Sequence, residues 1–175
     1  MTDPVRTSCA CLIHREKRTG DPEVDDLATR VLNGRWTRIG DDRQAWSCTV
    51  GQWHTFGSPE FVICGRPRAE RRHILWRAVM AMEHGLPRLG EVDTELTSLK
   101  VKTVRVHGSW HGSPLLRTAR AFYGGRLPEY RQLMWAEGSE GFYGDPGFDE
   151  ELVERQPDLA IPLADHPKCV WTALP

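Results

Sequence analysis

The sequence predicts an α+β fold, a mainly antiparallel sheet packed by about three amphipathic helices. Three observations lead there. Apolar residues recur at helical spacing in three stretches, each opened by a proline (Pro22, Pro67, Pro114) and closed by glycine (Gly34, Gly85, Gly124). Between the first and second of these, strand-like runs follow one another directly, which favours hairpins over βαβ units. A doubly wound parallel fold is the competitor, and the chain lacks the glycine-rich strand-to-helix phosphate motif that such folds carry.

The elements are expected in the following order. Asp21 can cap a helix that Pro22 enters, and Val24, Leu27, Ala28, Val31 and Leu32 repeat on one face until Asn33-Gly34. From Trp36 to Gly65 the period shortens, with strands over Thr37 to Ile39, Gln44 to Val50 and Glu60 to Cys64 and a turn at Asp41-Asp42. A second helix carries Ile74, Leu75, Ala78, Val79 and Met82, and a loop is expected over Leu86 to Asp93. Leu99 to His107 alternates as a strand whose apolar face switches partway, the signature of a bulge. Ser113-Pro114 opens a third helix bearing Leu115, Leu116, Ala119, Phe122 and Tyr123, and Tyr130 to Ala136 supplies a last strand. The glycine-, proline- and acid-rich stretch after it should lie on the surface, with Asp149, Glu150 and Glu151 capping a short terminal helix.

Composition narrows the function classes. The chain has 175 residues, 39% of them hydrophobic, enough for a core without disulfide staples. Residues 1–20 are expected to form a flexible segment and 21–175 one globular domain. Lys and Arg total 23 against 24 Asp and Glu, so no overall field draws the chain to nucleic acid or acidic lipid. No apolar run approaches membrane-spanning length, and the amino end lacks the pattern of a secretory signal. Five irregularly spaced cysteines read as free thiols or metal ligands, and the expected location is cytoplasmic.

Chemistry concentrates in three places. In Cys48 to Glu60, CTVGQWHTFGSPE, a histidine between two aromatics is held between Gly51 and Gly57. His54 is the candidate acid/base group and Glu60 its partner, with Thr49, Gly51 and Trp53 beside them. Gln132 and Trp135, on a strand that could pair nearby, complete a pocket for a small polar ligand. The competing reading makes Trp53 and Phe56 core residues and lets His54 satisfy a carbonyl. The second place is Cys9-Ala10-Cys11 with His14, ligand types suited to a transition metal such as zinc or copper but one short of a tetrahedral set. Cys169 is a candidate fourth ligand if the chain ends meet, and incidental thiols on a mobile tail are the alternative. The third is His107 and His111, which a loop could bring to one metal together with His54. The basic run Arg66 to Arg72 reads as a solvated helix face.

The cysteine pair, the phrase TVGQWHTFGSPEFVICGRP, the helix end AFYGG, the strand RQLMWAEGSEGFYGDPGF and the late QPDL together resemble the domain of unknown function 4262 family, of the actinobacterial type. The chain departs from the family pattern at Trp135-Ala136-Glu137 and Phe142-Tyr143 and in its tighter cysteine pair. The resemblance implies a grouping and carries no activity. A small-molecule ligand in the His54 pocket is one functional expectation. A protein partner bound through exposed aromatics between Phe142 and Phe148, as in an immunity or accessory module, is the other.

Overall fold

The computed structural model describes residues 9–15, 18–84, 94–95, 99–136, 141–142, 145, 148 and 152–173. The loop expected over 86–93 and the cap expected at Asp149, Glu150 and Glu151 lie outside the described residues.

The helices are α1 (Leu12–Arg15), α2 (Pro22–Gly34), α3 (Gln52–Phe56), α4 (Arg68–Glu83), α5 (Arg117–Phe122) and α6 (Leu152–Arg155). The strands are β1 (Thr37–Asp41), β2 (Trp46–Val50), β3 (Glu60–Cys64), β4 (Thr94–Glu95), β5 (Lys100–Arg105) and β6 (Tyr130–Ala136), with 3-10 turns at Gly108–Gly112 and Pro114–Leu116. α2 begins as its sequence dictates: the Asp21 carboxylate accepts from the amide of Glu23 at 3.0 Å, and Pro22 fills the first helical position. The six strands among the described residues join one sheet in the order β1-β2-β3-β6-β5-β4, and every neighbouring pair is antiparallel except β3 and β6. The α+β class and the mainly antiparallel sheet are therefore as expected.

The sheet carries a core on each face. Because side chains alternate along a strand, Phe61 and Ile63 meet Ile74, Leu75, Ala78 and Val79 of α4, with Leu133 and Trp135 of β6 joining them. Val62 and Cys64 point the other way, into a larger cluster with Val24, Leu27 and Val31 of α2 and Ala119 and Phe122 of α5. Every residue of β3 is buried, as a central strand covered on both sides requires.

Several details differ from expectation for identifiable reasons. β5 runs in one unbroken register from Lys100 opposite Ala136 to Arg105 opposite Arg131, so there is no bulge; Val101 and Thr103 are buried on one face, and Val106 is buried beyond the strand's end. Cys9, Cys11 and Leu12 fall in the segment expected to be flexible, yet they are buried in the larger core cluster. Arg71, expected on a solvated face, is 1% exposed and bridges α4 to the β1–β2 hairpin, with Nη2 2.7 Å from Asp42 Oδ1 and Nε donating to Ser47 Oγ at 3.1 Å. Phe142 is buried against Met134 and Ala136, with Lys102 Nζ 4.5 Å from its ring centre, so it is not an exposed aromatic awaiting a partner. Among the described residues no helix is long and apolar enough to cross a membrane.

Candidate metal centre

Two short helical turns from different parts of the chain meet at the edge of the larger core cluster. In the first, the amide of Arg15 donates to the carbonyl of Cys11 at 3.2 Å, closing the turn of α1 and bringing His14 round to the side of Cys11. Cys11 Sγ then lies 3.5 Å from His14 Nδ1. The second turn is α3, inserted in the β2–β3 connection, which places His54 Nδ1 3.3 Å from the same sulfur. The two imidazoles face one another with ring centres 4.5 Å apart, and with Cys9 added all four ligand atoms lie within 4.8 Å of one another.

These separations suit a tetrahedral ion. Zn–S bonds near 2.3 Å and Zn–N bonds of 2.0–2.1 Å put the S···N edge of a tetrahedron at about 3.6 Å and the S···S edge at about 3.8 Å. Cys9 and Cys11 close the site on the core side, while His14 is exposed and gives it a solvent side.

The pair of thiols is electrostatically divided. A hydrogen bond from Cys9 is the largest influence holding the Cys11 thiol below its ordinary value; burial opposes it and the His54 imidazole assists it. Cys9 is pushed up, first by that same hydrogen bond and then by burial. These opposite shifts favour anionic character on the sulfur of Cys11, the atom that both imidazoles approach.

The His54 turn is fastened by Glu60. Its carboxylate accepts from Thr49 Oγ1 at 2.7 Å, from the amides of Gly51 at 2.9 Å and Trp53 at 3.1 Å, and from the hydroxyl of Tyr123. It acts as a remote cap for the opening amides of α3, and burial pushes its carboxyl up while these donors pull it down. Thr49 Oγ1 in turn accepts from Gln52 Nε2 and the amide of Phe61, both at 2.8 Å. Gly51 has φ +110°, and a Cβ there would come within 2.8 Å of Val31, so only glycine lets the chain enter α3 beneath α2.

The residues singled out from sequence are thereby redistributed. Cys9, Cys11 and His14 are joined by His54 as the fourth member, and Cys169 instead lies 3.7 Å from His166 Nδ1. The trio of His54, His107 and His111 is not assembled: His107 Nδ1 accepts from the amide of Ser109 at 3.2 Å and caps the 3-10 turn that holds His111. Glu60 does not partner His54, because its oxygens are occupied by the α3 amides and the two hydroxyls. Gln132 and Trp135 use their polar groups within the fold. Both are buried: Gln132 accepts from the amide of Leu159 at 2.8 Å and donates to Pro157, while Trp135 donates to the carbonyl of Cys64 at 2.8 Å. With Gln156, which exchanges two hydrogen bonds with the Trp135 backbone, they tie the QPDL segment to β6. Tyr123, whose spacing in sequence assigns it to an apolar helix face, also organises the site through its hydroxyl, which donates to Glu60 and accepts from the amide of Gly51.

The fold and this cluster define an α+β protein with a Cys2His2 group at the junction of its amino-terminal turn and its central hairpin. The family model described as Domain of unknown function (DUF4262) matches residues 28–149, and the chain belongs to that family. His54 lies within the matched span, whereas Cys9, Cys11 and His14 precede it. Comparison with curated proteins and with solved structures returns no match.

Proposed function

We propose that the protein binds one thiophilic divalent ion, zinc in the first instance, through Cys9, Cys11, His14 and His54. The observation that carries this reading is the convergence of four ligand atoms from two distant chain segments within 4.8 Å. Two thiolate sulfurs and two imidazole nitrogens are a ligand set that zinc favours, whereas copper(II) prefers tetragonal nitrogen and oxygen sites. With four protein ligands the ion has no open position, which suits a structural or regulatory clip better than a hydrolytic centre. The ion would hold the segment from Cys9 to Arg15 against the β2–β3 hairpin. All five cysteines are free, in keeping with a reducing, cytoplasmic setting.

The test is metal content and cobalt substitution in protein without a histidine tag. About one equivalent of zinc per chain is expected, with the intense visible bands of tetrahedral cobalt-thiolate coordination on exchange. Cys11→Ser and His54→Ala should each abolish both signals while Cys169→Ser leaves them unchanged. Wild-type protein that takes up neither ion at micromolar concentration would falsify the reading.

A further inference from the structure

A different part of the molecule concentrates unpaired positive charge around a hollow. Two adjoining cavities, of about 480 and 380 Å³, share Gly108, His111 and Leu127. Arg105 and His107 line the larger, and Arg120 and Arg126 the smaller. The sole carboxylate on either wall is Glu129, which already holds Arg131 Nε at 2.8 Å. Among the described residues none of Arg105, Arg120 and Arg126 has a carboxylate partner. The Arg120 guanidinium is nonetheless oriented, because its Nε donates to the carbonyl of Gly125 at 3.2 Å and leaves the two Nη groups for another acceptor. His107 receives the Ser109 amide on Nδ1, so its proton sits on Nε2 as a donor.

We infer that this double hollow binds a small phosphorylated organic ligand, its phosphate held by Arg105, Arg120 and Arg126 beside the two imidazoles and its organic part lying on Leu127 and Pro128. Three guanidinium forks exceed what one carboxylate can use and match a dianion with several equivalent oxygens. The volume suits a ligand of metabolite size, and Val106, Leu127 and Pro128 give the larger cavity an apolar side next to its charged groups. His111 is held below the ordinary histidine value, first by burial and then by Arg120, His107 and Arg105, which reports the positive potential inside. A polynucleotide is the weaker occupant, since the whole chain carries a charge of -1.

The inference uses none of the four residues of the metal cluster and is tested apart from it. Pyrophosphate is titrated calorimetrically into the full chain, without added metal, at low ionic strength, with sodium sulfate and a single-stranded RNA as comparisons. The His107 and His111 ring resonances are followed in parallel. Pyrophosphate should bind more tightly than sulfate and shift both rings. Arg120→Gln with Arg126→Gln, both exposed positions whose fold is checked by thermal melting, should weaken binding by about tenfold. His54→Ala should bind as the parent does. Absence of pyrophosphate binding at millimolar concentration, equal affinity for sulfate, an unaffected double variant, or tighter binding of the RNA each overturns it.

Discussion

Cys11 and His54 are 43 positions apart in the chain and 3.3 Å apart at Sγ and Nδ1. That contact joins the amino-terminal turn to the hairpin at the centre of the sheet, and the fixed geometry comes from the hairpin side. Glu60 and Tyr123 set α3 with buried hydrogen bonds, so His54 offers a prepared nitrogen to which the shorter, more exposed α1 must adjust.

Zinc should stabilise the protein through its affinity for the folded state. At a free concentration about 100 times Kd the expected gain is about 2.7 kcal/mol. Chelation should lower Tm accordingly and speed amide exchange over residues 9–15, with both effects missing in Cys11→Ser. Exchange that accelerates uniformly across the sheet would place the ion's influence elsewhere.

Gly124→Ala should weaken the metal site without touching a ligand. Gly124 has φ +65°, and a Cβ there would sit 2.7 Å from Arg15 Cζ and 2.8 Å from the carbonyl of Ala10. Because Ala10 lies between Cys9 and Cys11, the clash displaces the segment that supplies both sulfurs. A stability loss of about 1–3 kcal/mol is expected, together with a lower zinc affinity in a chelator competition.

Glu60→Gln carries a pH signature. The folded carboxyl is pushed above its unfolded value by burial, so its contribution to stability is full below the unfolded pKa and is lost as pH rises through the folded one. The glutamine variant lacks this dependence. Wild-type advantage over Glu60→Gln should therefore grow as pH falls toward about 4. At neutral pH the loss should be about 1–3 kcal/mol, because an amide NH2 facing Thr49 Oγ1 meets an oxygen that already accepts two bonds. Urea unfolding across pH measures both quantities, and an advantage that shrinks on acidification would mean that the donors depress the carboxyl instead.

Gln132→Leu should release the carboxy-terminal segment and leave metal binding intact. It strands the amide of Leu159 and the carbonyl of Pro157, at about 1–3 kcal/mol for each buried group. Faster amide exchange at Leu159 with unchanged zinc stoichiometry is the expected pair of results. Loss of zinc in this variant would contradict the separation between the two sites.

Local structure was legible where short-range chemistry decides it. Asp21-Pro22 and the apolar stripe of α2 state a helix, and the short strand-like runs of β2, β3 and β6 between turn signals state strands, because caps and turn chemistry depend on neighbours in sequence. α3 escaped because its bracketing glycines signal turns whether or not a helical turn lies between them. The two halves of the Cys-His cluster were each visible as chemistry, yet nothing in their spacing joins residues so distant in sequence. Glu60 and Gln132 were recognisable as polar residues in apolar strands. Polarity alone does not distinguish a side chain offered to a ligand from one consumed by hydrogen bonds within the fold, and here the fold has taken both.

The single parallel seam, where Val62 lies opposite Gln132, constrains the order of assembly. β1, β2 and β3 can form as a local meander, but the far half of the sheet has no edge to join until the chain has run out through α4, back along β5 and round α5 to Tyr130. Closing so long an excursion costs entropy before any contact repays it, which makes this step the natural kinetic barrier. A nascent chain ending before Tyr130 presents β3 as a bare hydrophobic edge, so this protein is most exposed to aggregation late in its synthesis, immediately before the seam can shut.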